Sequence, residues 1–202
     1  MAKDNRLPVM EDFYTIQGEG FYSGSAAYFI RLAGCDVGCV WCDVKDSWHT
    51  EGYPTFTPKE LADKAAAHAA DIVVITGGEP AMYNLTELCT ELKSRGKRVH
   101  IETSGAHELI GTFDWVCFSP KKFKAPVTDF GKLAHELKVI VFNKSDFAWA
   151  ETFRSEVDSN CKLYLQPEWD QREKVQPKMV DYIMNHPEWE ISLQTHKYLG
   201  VD

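Results

Sequence analysis

Three cysteines within eight residues carry the strongest chemical signal in the chain. The run Cys35-Asp36-Val37-Gly38-Cys39-Val40-Trp41-Cys42 separates its thiols by three residues and then by two, in a loop that holds Gly34 and Gly38. Such a loop can wrap one cubane and give a sulfur to each of three irons of a [4Fe-4S] cluster. The fourth iron then stays open, able to chelate a small molecule and pass it an electron. Structural zinc would want a fourth protein ligand. No second Cys-x-x-Cys pair follows, although His49 lies seven residues on and would complete a Cys3His set. Zinc and plain thiols stand as the alternatives. Cys89, Cys117 and Cys161 sit singly in apolar stretches and read as small buried hydrophobes.

The elements that must hold this loop fit into one domain. The chain has 202 residues, against about 150 for a typical domain, so 1–202 is expected to form a single unit. Hydrophobic residues make up 44% and charged residues 26%, which excludes a disordered tail or a coiled coil. Lys and Arg total 22 against 30 Asp and Glu, a net charge of −8, leaving no general positive field to attract nucleic acid. No stretch approaches the ~18 apolar residues of a membrane span, and the opening Met-Ala-Lys-Asp-Asn-Arg lacks the apolar run of a secretion signal. A cytoplasmic protein with reduced cysteines is expected.

β-branched and aromatic runs at 27–32, 72–76, 99–103, 115–119, 137–142, 163–166 and 191–194 read as strands, most followed by a helical pattern. Ile72-Val73-Val74-Ile75 is apolar on both faces, as in parallel strands covered on each side. Thr57-Pro58-Lys59-Glu60 is a capping box that opens one helix. Asn84 is placed to cap the next, whose Leu85, Leu88, Cys89 and Leu92 share a face and which Gly96 ends; Ser145 and Pro177 open two later ones. The expected fold is α/β: an incomplete (β/α) barrel with a mostly parallel sheet, since seven candidate strands fall short of eight. Polar motifs follow the strands directly: Gly34-Cys35, Gly77-Gly78-Glu79-Pro80, Ser104-Gly105, Pro120-Lys121, Pro167-Glu168 and Thr195-His196-Lys197. Strand carboxyl ends converge on one rim, so these motifs should share a cavity.

The cysteine loop resembles the motif of the radical S-adenosylmethionine (SAM) superfamily, and Gly77-Gly78-Glu79-Pro80 resembles that superfamily's second motif, which contacts the methionine amino group. Within it, the chain is similar over almost its whole length to the 7-carboxy-7-deazaguanine synthase family. Phe13-Tyr14-Thr15-Ile16-Gln17-Gly18-Glu19-Gly20, Phe29-Ile30-Arg31-Leu32-Ala33-Gly34-Cys35, Ile101-Glu102-Thr103-Ser104-Gly105, Ser119-Pro120-Lys121 and Gln194-Thr195-His196-Lys197-Tyr198-Leu199-Gly200 carry the likeness. The last is the most specific.

The resemblance implies conversion of 6-carboxytetrahydropterin to 7-carboxy-7-deazaguanine with loss of ammonia, on the route to queuosine. A 5′-deoxyadenosyl radical would take hydrogen from C6 of the pterin and later return it, regenerating SAM. By position, Cys35, Cys39 and Cys42 match the cluster ligands, and Gly78, Ser119, Pro120, Lys121 and Gln166 match SAM contacts. Ile16, Gln17, Gly18, Arg31, Thr76, His196 and the terminal carboxylate of Asp202 match the substrate pocket. Arg31 suits a carboxylate, because its planar fork binds one bidentately; its other reading is a surface ion pair. The family's Cys-Asp-Thr supplies a threonine oxygen to Mg2+, and here Val44 stands in that place, which puts Mg2+ in question. A homodimer and a flavodoxin-type electron donor are also implied. Two competing readings are a glycyl-radical activase, against which the segments 17–20 and 194–200 argue, and a non-catalytic zinc-stabilised interaction module.

Overall fold

The computed structural model describes residues 5–201. Asp202 therefore lies outside the described residues. Nine strands form one sheet: β1 (Leu7–Ile16), β2 (Ala26–Leu32), β3 (Thr55–Phe56), β4 (Ile72–Gly77), β5 (Arg98–Thr103), β6 (Trp115–Phe118), β7 (Glu136–Val141), β8 (Lys162–Pro167) and β9 (Glu190–Ile191). Their spatial order is β3-β1-β2-β4-β5-β6-β7-β8-β9. From β2 onward every pairing is parallel and follows chain order, while β1 runs antiparallel to both β2 and β3. The sheet curls without closing, as an incomplete barrel.

The helices α1 (Pro58–Ala66), α2 (Thr86–Ser94), α3 (Ser145–Arg154) and α4 (Arg172–Asn185) pack on its outer face. A core cluster joins Leu61, Leu88, Phe147 and Met179 of these helices to Ile75, Ile101, Phe118, Val139 and Leu165 of the strands. The capping box on Thr57 forms as expected, with Glu60 N–H donating to Thr57 Oγ1 at 3.2 Å and Thr57 N–H donating to Glu60 at 2.7 Å. Leu85, Leu88, Cys89 and Leu92 are all at most 1% exposed. Cys117 and Cys161 are buried free thiols like Cys89.

Several elements depart from the sequence reading. Residues 7–16 were not expected as a strand, because β1 is half exposed and a bulge between Val9 and Glu11 breaks its alternation. No α-helix separates β5 from β6 or β6 from β7. α4 begins at Arg172 rather than at Pro177, which lies inside it; the carboxylate of Glu168 accepts from Gln171 N–H at 3.0 Å and so opens the turn that leads into the helix. α3 begins at Ser145 as expected, with Asn143 Oδ1 accepting from Ser145 N–H at 2.8 Å just ahead of it. β9 pairs Glu190 and Ile191, so only Ile191 of the expected 191–194 is in the strand; Ser192 and Gln194 instead donate from their side chains to Gln166 and Glu19.

The inner face is where the expectation of doubly apolar strands holds only in part. Ala27, Phe29, Ile72 and Val74 form a small apolar patch there. In β5, β7 and β8 the inward positions instead read His100 and Glu102, Glu136 and Lys138, Tyr164 and Gln166. The β1–β2 loop folds across this face: Phe21 and Tyr22 pack on Trp115 at 5.1 and 5.0 Å between ring centres, and Glu136 accepts from Phe21 N–H at 3.2 Å. No helix among the described residues is long and apolar enough to cross a membrane.

Truncating Leu88 to alanine should destabilise the chain by about 2–5 kcal/mol, since a fully buried leucine leaves a cavity behind. Met184→Ala, at a side chain 78% exposed, should change stability by less than about 0.5 kcal/mol. Urea unfolding of both variants checks the pair; equal midpoints would reject the packing described for α2.

Candidate functional site

At the carboxyl rim of the sheet lies a cavity of about 270 Å³. It brings together the ends of β2, β4, β5, β6 and β8, the β1–β2 loop and the start of α5 (Thr195–Leu199). Cys35, Cys39 and Cys42 line it, together with Ile16, Gln17, Gly18, Arg31, Thr76 and His196. Gly78, Ser119, Lys121 and Gln166 line it as well. Pro120 is buried but is not part of the lining. Every other described residue that the resemblance assigns to the cluster, SAM or the substrate thus faces one space, while Gly34, Pro80, Gly105, Thr195 and Lys197 of the strand-end motifs do not line it.

The cysteine loop is held by its neighbours' backbone. Gly34 N–H donates to Ser47 O at 2.6 Å and Cys35 N–H to Trp48 O at 3.2 Å. The β4 motif is stitched to it from the other side, with Gly78 N–H donating to Leu32 O at 3.0 Å and Glu79 N–H to Gly34 O at 2.8 Å. A Cβ on Gly78 would fall 2.2 Å from Gly34 O, so glycine is required there by the loop it touches. Burial pushes the Cys39 thiol up to about 11 and raises Cys35. As thiols these groups stay neutral, and a metal that binds them must displace their protons.

Among the described residues no three His, Cys, Asp or Glu side chains gather around a point that would hold a single ion. His49 is exposed, away from the cavity lining. Among the described residues the cavity wall offers three sulfurs and no fourth cysteine, a donor set that fits a multi-iron cluster with an open corner. The donor set does not fit a protein-held Mg2+. Val44 offers no oxygen, Asp43 is ion-paired to Lys197 at 3.1 Å, and the Ser47 hydroxyl donates to Val44 O at 2.6 Å.

Arg31 is both an ion pair and a cavity residue. Its Nε donates to Glu11 Oε1 at 2.6 Å and its guanidinium lies over the Phe13 ring, 6.0 Å from the ring centre, with no hydrogen-bond partner for its terminal nitrogens among the described residues. Glu11 lies on β1, beside the bulge. His196 packs over Gly18, where a Cβ would come 2.0 Å from its Nδ1. Burial holds this imidazole below its usual range and therefore neutral near pH 7. Thr195 locks the same contact by donating from its N–H to Gly18 O at 2.9 Å. Burial lowers the Lys121 ammonium, whose Nζ lies 2.7 Å from Ser119 O.

Two polar centres were missed in the sequence reading. Beneath the cavity, Lys138 donates to Glu19 Oε2 at 2.5 Å and to Glu102 Oε2 at 3.1 Å. Gln17 and Gln194 donate to the remaining oxygens of Glu102 and Glu19, each at 2.9 Å. A lysine inside the apolar run 137–141 was the available signal, because an unpaired charge is almost never buried. The second centre is Glu79, 1% exposed, whose carboxylate accepts from Ala81 N–H, Thr103 Oγ1, Ser104 N–H and Ser104 Oγ. It ties the β4 motif to the end of β5. Glu79→Gln would turn an amide donor onto one of these donors and should lower stability by about 1–3 kcal/mol. Thermal unfolding measures this, and an unshifted midpoint would show the hub to be dispensable.

Residues 29–116 match the family model described as Radical SAM superfamily. A 7-carboxy-7-deazaguanine synthase from Flavobacterium psychrophilum is 52% identical, over 100% of this chain and 95% of that protein. One from Synechocystis sp. is 49% identical over 96% of this chain and 93% of that protein. The crystal structure of QueE from Escherichia coli superposes with a TM-score of 0.85 at 29% identity, covering 97% of this chain and 100% of that one. With its thiol loop, glycine seam and cavity arranged on such a barrel, this chain belongs to the 7-carboxy-7-deazaguanine synthase family of the radical SAM superfamily.

Proposed function

We propose that this chain converts 6-carboxytetrahydropterin to 7-carboxy-7-deazaguanine with release of ammonia. The observation that carries the reading is that the three thiols and the free edge of Arg31 open on one cavity. Bound there, a [4Fe-4S] cluster and SAM supply the reducing electron and the 5′-deoxyadenosyl radical.

The chain's own residues do the rest. Cys35, Cys39 and Cys42 hold the cluster. Gly78 leaves room for backbone contact with the methionine end of SAM, and Ser119, Lys121 and Gln166 border the same space. Arg31 grips the substrate carboxylate, held in place by Glu11, while Ile16, Gln17, Gly18 and Thr76 border the heterocycle. Neutral His196 closes the cavity over Gly18 and helps exclude water from a reactive intermediate. Pro120 stiffens the turn between its two neighbours, and the Asp202 carboxylate is assigned to the mouth by family resemblance alone. The same resemblance supports a cytoplasmic homodimer reduced by a flavodoxin-type protein. Mg2+ has no role in this scheme, because the residues around Val44 do not make a site for it.

Anaerobic reconstitution should load about four irons per chain with broad visible absorbance. Incubation with carboxytetrahydropterin, SAM and a reductant should then give the deazaguanine acid and ammonia. A colourless protein holding one zinc would sink the reading, and an iron-loaded protein that makes no product would point to another radical SAM reaction. Arg31→Met should raise KM by roughly 10- to 100-fold, the loss of about 1.5–3 kcal/mol from a charge-assisted pair. Chelation of Mg2+ should leave turnover undiminished; abolished turnover would show that a metal site forms with the substrate.

A further inference from the structure

The charged triad beneath the cavity has no part in holding the cluster, and it is an expensive arrangement to bury. Lys138 is 3% exposed and Glu19 and Glu102 are 16% and 22% exposed at their side chains. All three side chains border the cavity, with the carboxylates more exposed than the ammonium. Buried ion pairs of this kind add little to stability over apolar residues of the same size, which points to a use in the site. The amides of Gln17 and Gln194 fix the outer oxygens, so both carboxylates are held in one orientation.

We propose that Lys138 is a positioning residue: by bridging Glu19 and Glu102 it holds both carboxylates as acceptors on the cavity floor, which then selects a heterocycle edge carrying N–H donors. This rests on the reading that the cavity binds a pterin, whose amide and amino groups form such an edge. A protonated carboxyl would present a hydroxyl donor instead and repel that edge. Two neighbouring carboxylates without a cation cannot both stay charged in a buried site.

The surroundings of Lys138 leave it alone in this task. Glu136, on the same strand, is raised by burial, and burial raises the Cys117 thiol of β6 far above its ordinary value. Lys121, from the loop after β6, is itself lowered by burial, and His196 of α5 is held neutral by burial. Burial alone would raise Glu19; Lys138 is the leading influence that brings it down to about 2. Because its folded value is depressed, Glu19 is ionised throughout the neutral range. Without Lys138, burial is left as the leading influence on Glu19, and its protonation moves up towards neutral pH.

The test compares the iron-loaded wild type with Lys138→Met and Lys138→Arg. From about pH 8.5 down to about pH 6, kcat/KM of the Met variant should fall, mainly through KM and approaching tenfold per pH unit at the acidic end, while wild type and the Arg variant stay flat on this side. A Met profile parallel to the wild type would overturn the proposal, as a purely structural role predicts. Infrared titration without substrate gives a second readout. A protonated-carboxyl band should appear over the same interval in the Met variant and be absent from the wild type. Its absence from the Met variant would overturn the role of Lys138 whatever the substrate, whereas the band without any pterin turnover by wild type would fault only the reading of the reaction. If Lys138→Met fails to load iron, the double variant K138M/E102Q carries the infrared test through Glu19 alone. Should the Arg variant load iron and neither neutral variant do so, Lys138 serves the fold and the proposal falls.

Discussion

The backbone seam between the end of β2 and the end of β4 sets the geometry of everything above it. Gly78 N–H and Glu79 N–H donate to Leu32 O and Gly34 O, and the contact is so close that a single Cβ at either Gly77 or Gly78 would run into the opposing backbone. Two parallel strands that are already paired are thereby held together for two residues beyond the sheet. The consequence is that the thiol loop, which starts at Cys35, and the glycine turn cannot move independently. Any molecule bound between them meets a preformed wall, and preorganisation of this kind is what lets a site hold reacting groups at fixed separation. Glu79 extends the same constraint sideways to Thr103 and Ser104, so three consecutive strand ends behave as one rim.

How much of this could be read beforehand follows from the range of the interactions involved. The thiol loop, the glycine motif, the capping box at Thr57 and the apolar face of α2 are local patterns, and they are where the sequence placed them. β1 was hidden because its ten residues are half exposed, bulged, and paired antiparallel on an otherwise parallel sheet. The start of α4 was misplaced because Pro177 is a strong local signal, while the capping carboxylate of Glu168 acts from nine residues earlier. β9 is short where Ser192 and Gln194 turn to Gln166 of β8 and Glu19 of the β1–β2 loop, partners that no window of sequence contains.

The polar floor was missed for a different reason. Strand periodicity tells which residues share a face but not whether that face is covered by helices or curls around a cavity. In β7 the alternation of Glu136 and Lys138 with Leu137 and Val139 is plain once the curl is known: the apolar members join the helix-covered core and the charged ones point inward. Register then completes the site, since Arg31 pairs with Thr76 and Ile140 with Gln166 across neighbouring strands. Residues far apart in the chain converge through sheet curvature, a property of the whole and not of any segment.

The placement of charge gives the last step. A chain with net charge −8 should repel an anionic ligand at long range, and steering by a general field is unavailable to it. It nevertheless puts Arg31, Lys121 and Lys138 around one cavity. Beyond about 10 Å ordinary salt screens the unfavourable field, whereas cations inside a low-dielectric pocket act at full strength. Each has a distinct duty because each is differently neutralised. Glu11 takes one nitrogen of Arg31. Lys121 is tied to Ser119 beside Cys39. Lys138 is enclosed by two carboxylates and acts only through them. Val44 has no side-chain oxygen for a hard cation, so Arg31 and Lys121 are the cavity's less fully neutralised positive charges, held on the rim that the ends of β2 and β6 provide.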